Sequence, residues 1–144
     1  MLEGFLSGFE VEFATILVFS LIIGYVIGAE REGRGKAAGI STHSLVIAGS
    51  ALFTFGSIWL DPASPARIAA QIVTGVGFLG AGIILKDNSG EIRNLTTAAS
   101  IWFSASIGMA IGFGWYAIAL IAMIYAVAVP RIPHYKHGPR LEEK

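Results

Sequence analysis

FATILVFSLIIGYVIGA, residues 13–29, contains no charged side chain and is the first of five such runs. The others are Leu45–Leu60, Ile68–Leu85, Leu95–Ile111 and Trp115–Val129, and nearly every Asp, Glu, Lys and Arg falls between the runs or at the chain ends. A bilayer core about 30 Å thick takes roughly 20 helical residues, with about 17 as a short limit. The runs sit at or just under that length, and their polar or glycine flanks can extend them. Five helices with no charged face would need a large soluble protein around them, which 144 residues cannot supply. The pattern predicts an all-α integral membrane protein, with residues 1–130 as one transmembrane domain and 131–144 as a tail.

Composition agrees. Hydrophobic residues make up 54% of the chain and charged residues 14%, against about 25% charged in a soluble domain. Net charge is zero, so no global field favours nucleic acid. Cysteine is absent, which excludes disulfides, thiolate metal sites and cysteine nucleophiles. Met1–Phe13 carries Glu3, Glu10 and Glu12 but no basic residue, so it does not read as a cleavable signal. Leu2, Phe5, Leu6, Phe9 and Phe13 recur at helical spacing, which predicts a short helix lying in the membrane interface; a frayed terminus is the alternative.

Lysine and arginine alternate between loops. The first connection holds Arg31, Arg34 and Lys36, the third holds Lys86 and Arg93, and the tail holds Arg131, Lys136, Arg140 and Lys144. The N-terminus has none, the second connection has only Arg67, and the Gly112-Phe113-Gly114 turn has none. The positive-inside rule then places the N-terminus outside and the C-terminus in the cytoplasm, which requires an odd number of spans. Asp61-Pro62 ends the second helix, Ser64-Pro65 reads as the N-cap and first position of the third, and Asn94 reads as the N-cap of the fourth.

The third run contains Gly75, Gly77, Gly80 and Gly82. Gly75–Gly80 fits the letters of a dinucleotide-binding motif, but no strand precedes it and no ribose-binding acid follows. Close helix packing is the favoured reading, with Gly24 and Gly28 of the first run as the partner face; an unwound segment offering carbonyls to an ion is the alternative. Gln71 reads as an interhelical hydrogen-bonding group, and Arg67 as the partner of Asp61 or of an N-terminal glutamate. Ser104, Ser106, Thr54 and Ser57 can bond to their own helix backbones.

Chemistry is most plausible on the cytoplasmic side. Glu30, Arg31, Arg34, Lys36, Thr42 and His43 follow the first run, and Asn94, Thr96 and Thr97 open the fourth. Cations, a glycine-rich backbone and a helix N-terminus can together bind an anion, such as an anionic lipid phosphate or a carboxylate of a membrane-protein partner. Positive-inside topology with mutual salt bridges would produce the same composition. No spacing suggests a zinc or hydrolytic site, so the chain reads as non-enzymatic, with no cofactor implied and no metal assigned.

Three blocks, EREGRGKAAGISTH at 30–43, RIAAQIVTGVGFLGAG at 67–82 and NLTTAASIW at 94–102, make the chain resemble the MgtC/SapB membrane-protein family. The resemblance implies a bacterial inner-membrane protein associated with magnesium-limited growth and virulence. It further implies control of another membrane complex, the membrane ATP synthase, more securely than magnesium transport. Asn94 stands where many members have glycine and Ser41 where many have arginine, and the chain reads as a short form without the soluble C-terminal domain of longer members. A homo-oligomer is expected. Magnesium prefers octahedral oxygen ligands including carboxylates, and every acidic residue lies at a helix end or in a loop, which places regulation ahead of cation transport.

A reporter fused after Lys144 is expected to be cytoplasmic and one inserted in the Gly112–Gly114 turn to be external. Both on one side would remove the five-span arrangement.

Overall fold

A computed structural model describes residues 8–86 and 92–133. Five helices carry the fold: α1 (Phe9–Gly33), α2 (Ile40–Leu60), α3 (Ala66–Ile83), α4 (Leu95–Gly112) and α5 (Tyr116–Ala128). A two-residue antiparallel ladder between β1 (Leu85–Lys86) and β2 (Ile92–Arg93) joins α3 to α4, with Leu85 opposite Arg93. A single 3₁₀ turn, Val129–Arg131, follows α5. The helices α1 to α4 are long and apolar enough to cross a bilayer, whereas α5 is a shorter apolar helix of 13 residues.

The surface outside the helix contacts is hydrophobic. Leu21, Phe53, Phe78 and Ile121 are each more than half exposed. In water such continuous apolar surface would drive aggregation; in lipid it is the ordinary exterior. Aromatic groups mark helix ends, with the Phe9 ring 4.3 Å from that of Trp59 and Phe113 stacked on Trp115 at 5.1 Å beyond α4. Aromatic residues favour the membrane–water boundary.

The centre is α2, clamped between α1 and α4 through glycines spaced i, i+4. A Cβ on Gly24 would overlap the backbone of Ser44, and one on Gly28 would overlap Ile40. From the other side, a Cβ on Gly108 would lie 2.8 Å from Ser50 Cβ, and one on Gly112 would lie 2.6 Å from Thr54 Cβ. Small residues let helix backbones approach closely enough for dispersion contacts, the main packing force available in lipid. Ile16, Ile23 and Ile27 of α1, Ile47 and Ala51 of α2, Ile107 and Ile111 of α4, and Ala119 of α5 fill the core around these seats. Two hydroxyls in the same seams are satisfied locally, Thr54 donating to the Ser50 carbonyl at 2.8 Å and Ser57 to the Thr54 carbonyl at 2.6 Å, while those of Ser20 and Ser44 are unpartnered.

The partner expected for Gly24 and Gly28 was the third helix; the structure seats them on α2 instead. Likewise Gly75, Gly77 and Gly82 have open space above them within the chain, and a Cβ on Gly80 would make only ordinary contact with Ala98 at 3.7 Å. Helix α3 packs through Ile72 and Val76 onto Ile101 and Ala105 of α4, a seam of side chains. Three of its four glycines fall on other faces: the buried positions 72, 76 and 80 define one i, i+4 stripe that includes Gly80, and 75, 77 and 82 lie off it.

Local signals shift by small amounts. Helix α1 is already running at Phe9, with Glu10 and Glu12 in its first turn, so Phe9 and Phe13 belong to the first span and not to a separate interfacial helix; Leu2, Phe5 and Leu6 lie outside the described residues. Helix α3 starts at Ala66, after Pro65, and the Ser64 carbonyl accepts the Arg67 N–H at 3.1 Å. Asn94 occupies the cap position of α4 without capping it through its side chain. Its φ of 63° is left-handed, a conformation natural for glycine and tolerated by asparagine, and its amide donates to the Ile83 carbonyl at 3.3 Å.

Gly28→Val and Gly108→Val are expected to destabilise the fold by at least about 1–3 kcal/mol through overpacking. Gly75→Ala should be neutral or stabilising by up to about 1 kcal/mol, since alanine is the better helix former. Denaturant unfolding in mild detergent measures all three, and equal losses would contradict the seats on α2.

Candidate functional site

The C-terminal end of α1 and the N-terminal ends of α2 and α4 meet at one end of the bundle, joined there by the exit from α5. The glycine seats bring this about: with Gly28 against Ile40, the last turn of α1 must pass beside the first turn of α2. The Arg31 side chain then points inward and its Nη2 donates to Thr97 Oγ1 of α4 at 3.0 Å. Arg31 is only 1% exposed and Thr97 equally enclosed. Neither Nε nor Nη1 of Arg31 has a hydrogen-bond partner. Two turns further along α4, Ser104 Oγ lies 2.8 Å from His43 Nδ1, both fully buried, while His43 Nε2 is unpartnered.

Glu30, the neighbour of Arg31, faces the other way. Its side chain is 4% exposed and its Oε1 takes Arg34 at 3.3 Å and Arg131 at 3.7 Å. Arg34 Nη1 also donates to the carbonyl of Pro130. One carboxylate thus ties the first connection to the point where the chain leaves α5. Glu32 closes the connection on itself, its Oε1 accepting the Ile40 N–H at 2.9 Å at the start of α2. A Cβ on Gly39 would meet the flexible end of the Glu32 side chain, which would have to shift away from the Ile40 N–H. Gly35 supplies the left-handed residue (φ 65°) that turns the chain after α1.

Of the residues singled out in the sequence, Glu30, Arg31, Arg34, His43 and Thr97 are drawn into these contacts. Lys36 and Thr96 are exposed, Thr42 is half-buried, and Asn94 is turned toward Ile83. Arg34 contacts Glu30 and Pro130 and has no contact with Thr96 or Thr97. At the opposite end, Arg67 pairs with Asp61 at 3.7 Å. Gln71 is exposed and makes no hydrogen bond among the described residues, so the expected interhelical bond is absent there. It lines an apolar groove of about 540 Å³ between α2 and α3, with Leu45, Phe53, Gly75 and Leu79.

Three participants escaped sequence reading. Ser104, expected to bond to its own backbone, meets His43 instead, and only the seven-residue spacing Thr97–Ser104 on one α4 face hints at it. Arg131 read as part of an exposed tail. Glu32 caps a helix that begins eight residues later, beyond the reach of any local capping pattern.

The sequence now places this arrangement among known proteins. The model for the MgtC family matches residues 17–135, which contains every contact just described. The chain belongs to the MgtC family. It is 47% identical over 108 residues to Protein MgtC of Salmonella typhimurium, covering 75% of this chain and 46% of that protein. It is 44% identical over 117 residues to Protein MgtC of Brucella abortus, covering 81% of this chain and 49% of that one. The chain therefore spans about half the length of the curated relatives it matches. No solved structure matches it. For this member of the MgtC family, the matched half contains the helical bundle and its polar end.

Glu30→Gln is expected to release both arginines and to lower stability by about 1 kcal/mol, since Arg34 and Arg131 are partly solvated. Spin labels at residues 36 and 132 should report a broadened distance distribution in the variant. An unchanged distribution would mean that Glu30 does not hold the exit from α5.

Proposed function

We propose that this chain is a multi-pass protein of the bacterial inner membrane, with the Arg31 end facing the cytoplasm. In this reading it is a non-enzymatic regulator associated with magnesium homeostasis or growth at low magnesium, acting on another membrane complex such as the ATP synthase. Family membership supports the magnesium association. The distribution of charge supports regulation over transport. Among the described residues, the carboxylates Glu10, Glu12, Glu30, Glu32 and Asp61 all lie in the terminal turns of helices or just past them. A path for Mg²⁺ needs several oxygen ligands at depth, normally with carboxylates among them. Between these ends the seams of α1, α2 and α4 carry packed glycines and scattered hydroxyls: Thr54 and Ser57 bond to their own backbone, Ser104 meets His43, and Ser20 and Ser44 are unpartnered. The polar groups that do converge sit at one end, with three arginines against two glutamates, a small cationic excess that suits contact with an anionic partner.

A cation transporter is the second reading. The exposed Gly75 and Gly77 favour it to the extent that a free α3 face could offer backbone carbonyls or pack against another copy.

Co-reconstitution separates the two. Liposomes containing a bacterial ATP synthase together with this chain should show reduced ATP-driven proton pumping, while liposomes containing the chain alone should take up no more Mg²⁺ than empty ones. Mg²⁺ uptake by the chain alone, with pumping unaffected, would replace regulation by transport.

A further inference from the structure

We infer that the first turn of α4 and the guanidinium of Arg31 form a site for a phosphate oxyanion, and that its occupancy locks α1 to α4. The inference rests on the regulatory reading, because it supplies the ligand through which that end of the bundle would be controlled. Two independent observations carry it. The first is the uncapped N-terminus of α4, an 18-residue helix whose cap residue, Asn94, is held in a left-handed conformation with its side chain bonded to Ile83. First-turn N–H groups have no partner inside a helix, and together with the helix dipole they form a positive end suited to an anion. The second is Arg31, 1% exposed and aimed into that turn, with Nη2 on Thr97 and with Nε and Nη1 both unpartnered.

As it stands, this pairing is electrostatically unfavourable. A buried cation normally has a counter-charge, and here it faces the positive end of a helix. Glu30 offsets it only in part: it acts on Arg31 from beyond ion-pair distance, its Oε1 is engaged by Arg34 and Arg131 while its Oε2 is unpartnered, and no carboxylate among the described residues lies within ion-pair distance of Arg31. A phosphate oxygen satisfies both sides at once, accepting from backbone N–H groups and from the planar guanidinium edge. Leu95 and Thr96 of the same turn are exposed, so the helix end is reachable from outside the bundle. Arg31 is enclosed, so the α1–α4 junction must open for the anion to reach it. Occupancy and closure are therefore coupled, as expected of an effector that binds one of two states. An anionic lipid headgroup and free inorganic phosphate present the same chemistry, and the test separates them.

The full chain is reconstituted in phosphatidylcholine nanodiscs in phosphate-free buffer, and its melting temperature is followed while inorganic phosphate is added. A parallel set of discs contains phosphatidylglycerol and no phosphate. In the zwitterionic phosphatidylcholine discs without added phosphate, Arg31→Gln should melt at or above the parent temperature, because it removes an incompletely compensated buried charge. Saturating anion should raise the parent by about 4 °C or more and leave Arg31→Gln unmoved, while Arg67→Gln, at the opposite end, responds as the parent does. Arg31→Lys keeps the charge but loses the fork, and should need several-fold more phosphate. A rise in the phosphate series identifies the free ion, and a rise in the lipid series identifies the headgroup; either supports the site. The inference is overturned if neither series moves the parent, if Arg31→Gln responds equally, or if Arg31→Gln melts far below the parent without anion. These melts need neither an ATP synthase nor a Mg²⁺ gradient, so their failure is distinct from failure of the regulatory reading.

Discussion

The close approach of α2 to both α1 and α4 is the constraint on which the molecule depends. Lipid tails are as apolar as leucine side chains, so burying hydrophobic surface gives little reason for one apolar helix to prefer another over the bilayer. What distinguishes α2 is that Gly24 and Gly28 on one side and Gly108 and Gly112 on the other let its backbone come within direct contact. Those four positions fix the rotation and height of three helices. Once they are fixed, Arg31 has nowhere to go but toward Thr97, and His43 nowhere but toward Ser104. The polar end follows from glycine packing well below it.

The interactions at that end divide into two kinds. Glu30 Oε1, Arg34, Arg131 and the Pro130 carbonyl tie chain segments together, with the two arginines reaching solvent and Glu30 Oε2 buried and unpartnered. Arg31, one residue along and on the other side of the helix, is enclosed and only partly satisfied. Adjacent residues on a helix point about 100° apart, so a single step in sequence separates a structural tie from an unmet electrostatic demand inside the bundle. Incomplete satisfaction of a buried charge is costly, which makes it informative wherever it occurs.

Much of this was legible in the sequence, and the limits have physical causes. The apolar runs announced the helices because a bilayer imposes length and composition directly. Charge in the first connection and at the opening of the fourth run announced which ends share a compartment, and the Arg31–Thr97 bond joins those ends. The glycines misled. Four in α3 drew attention by number, yet a glycine's role depends on what lies opposite, and for Gly75 and Gly77 nothing within the chain does. Gly24 and Gly28 were noticed but assigned the wrong partner, since spacing identifies a face and not its neighbour. Asn94 was legible as a boundary; that it would occupy a left-handed conformation required the backbone. Ser104 and Glu32 act across distances no local rule covers.

The unequal lengths of α1 and α5 have a consequence for the surrounding lipid. The two helices are pinned together at the Glu30–Arg131 contact, but α1 has 25 residues and α5 has 13. Counted from that contact, 21 residues run back to Phe9 and 15 run back to Tyr116, so at 1.5 Å per residue one reaches about 9 Å further than the other. The aromatic pair Phe113–Trp115 precedes α5, while Phe9 and Trp59 stand at the far ends of α1 and α2. The hydrophobic belt is therefore tapered, deep on one flank and shallow on the other. Lipids along the α5 flank must thin or tilt to match it, so acyl-chain length becomes a variable in how this protein is oriented and with which neighbours it shares a deformed annulus.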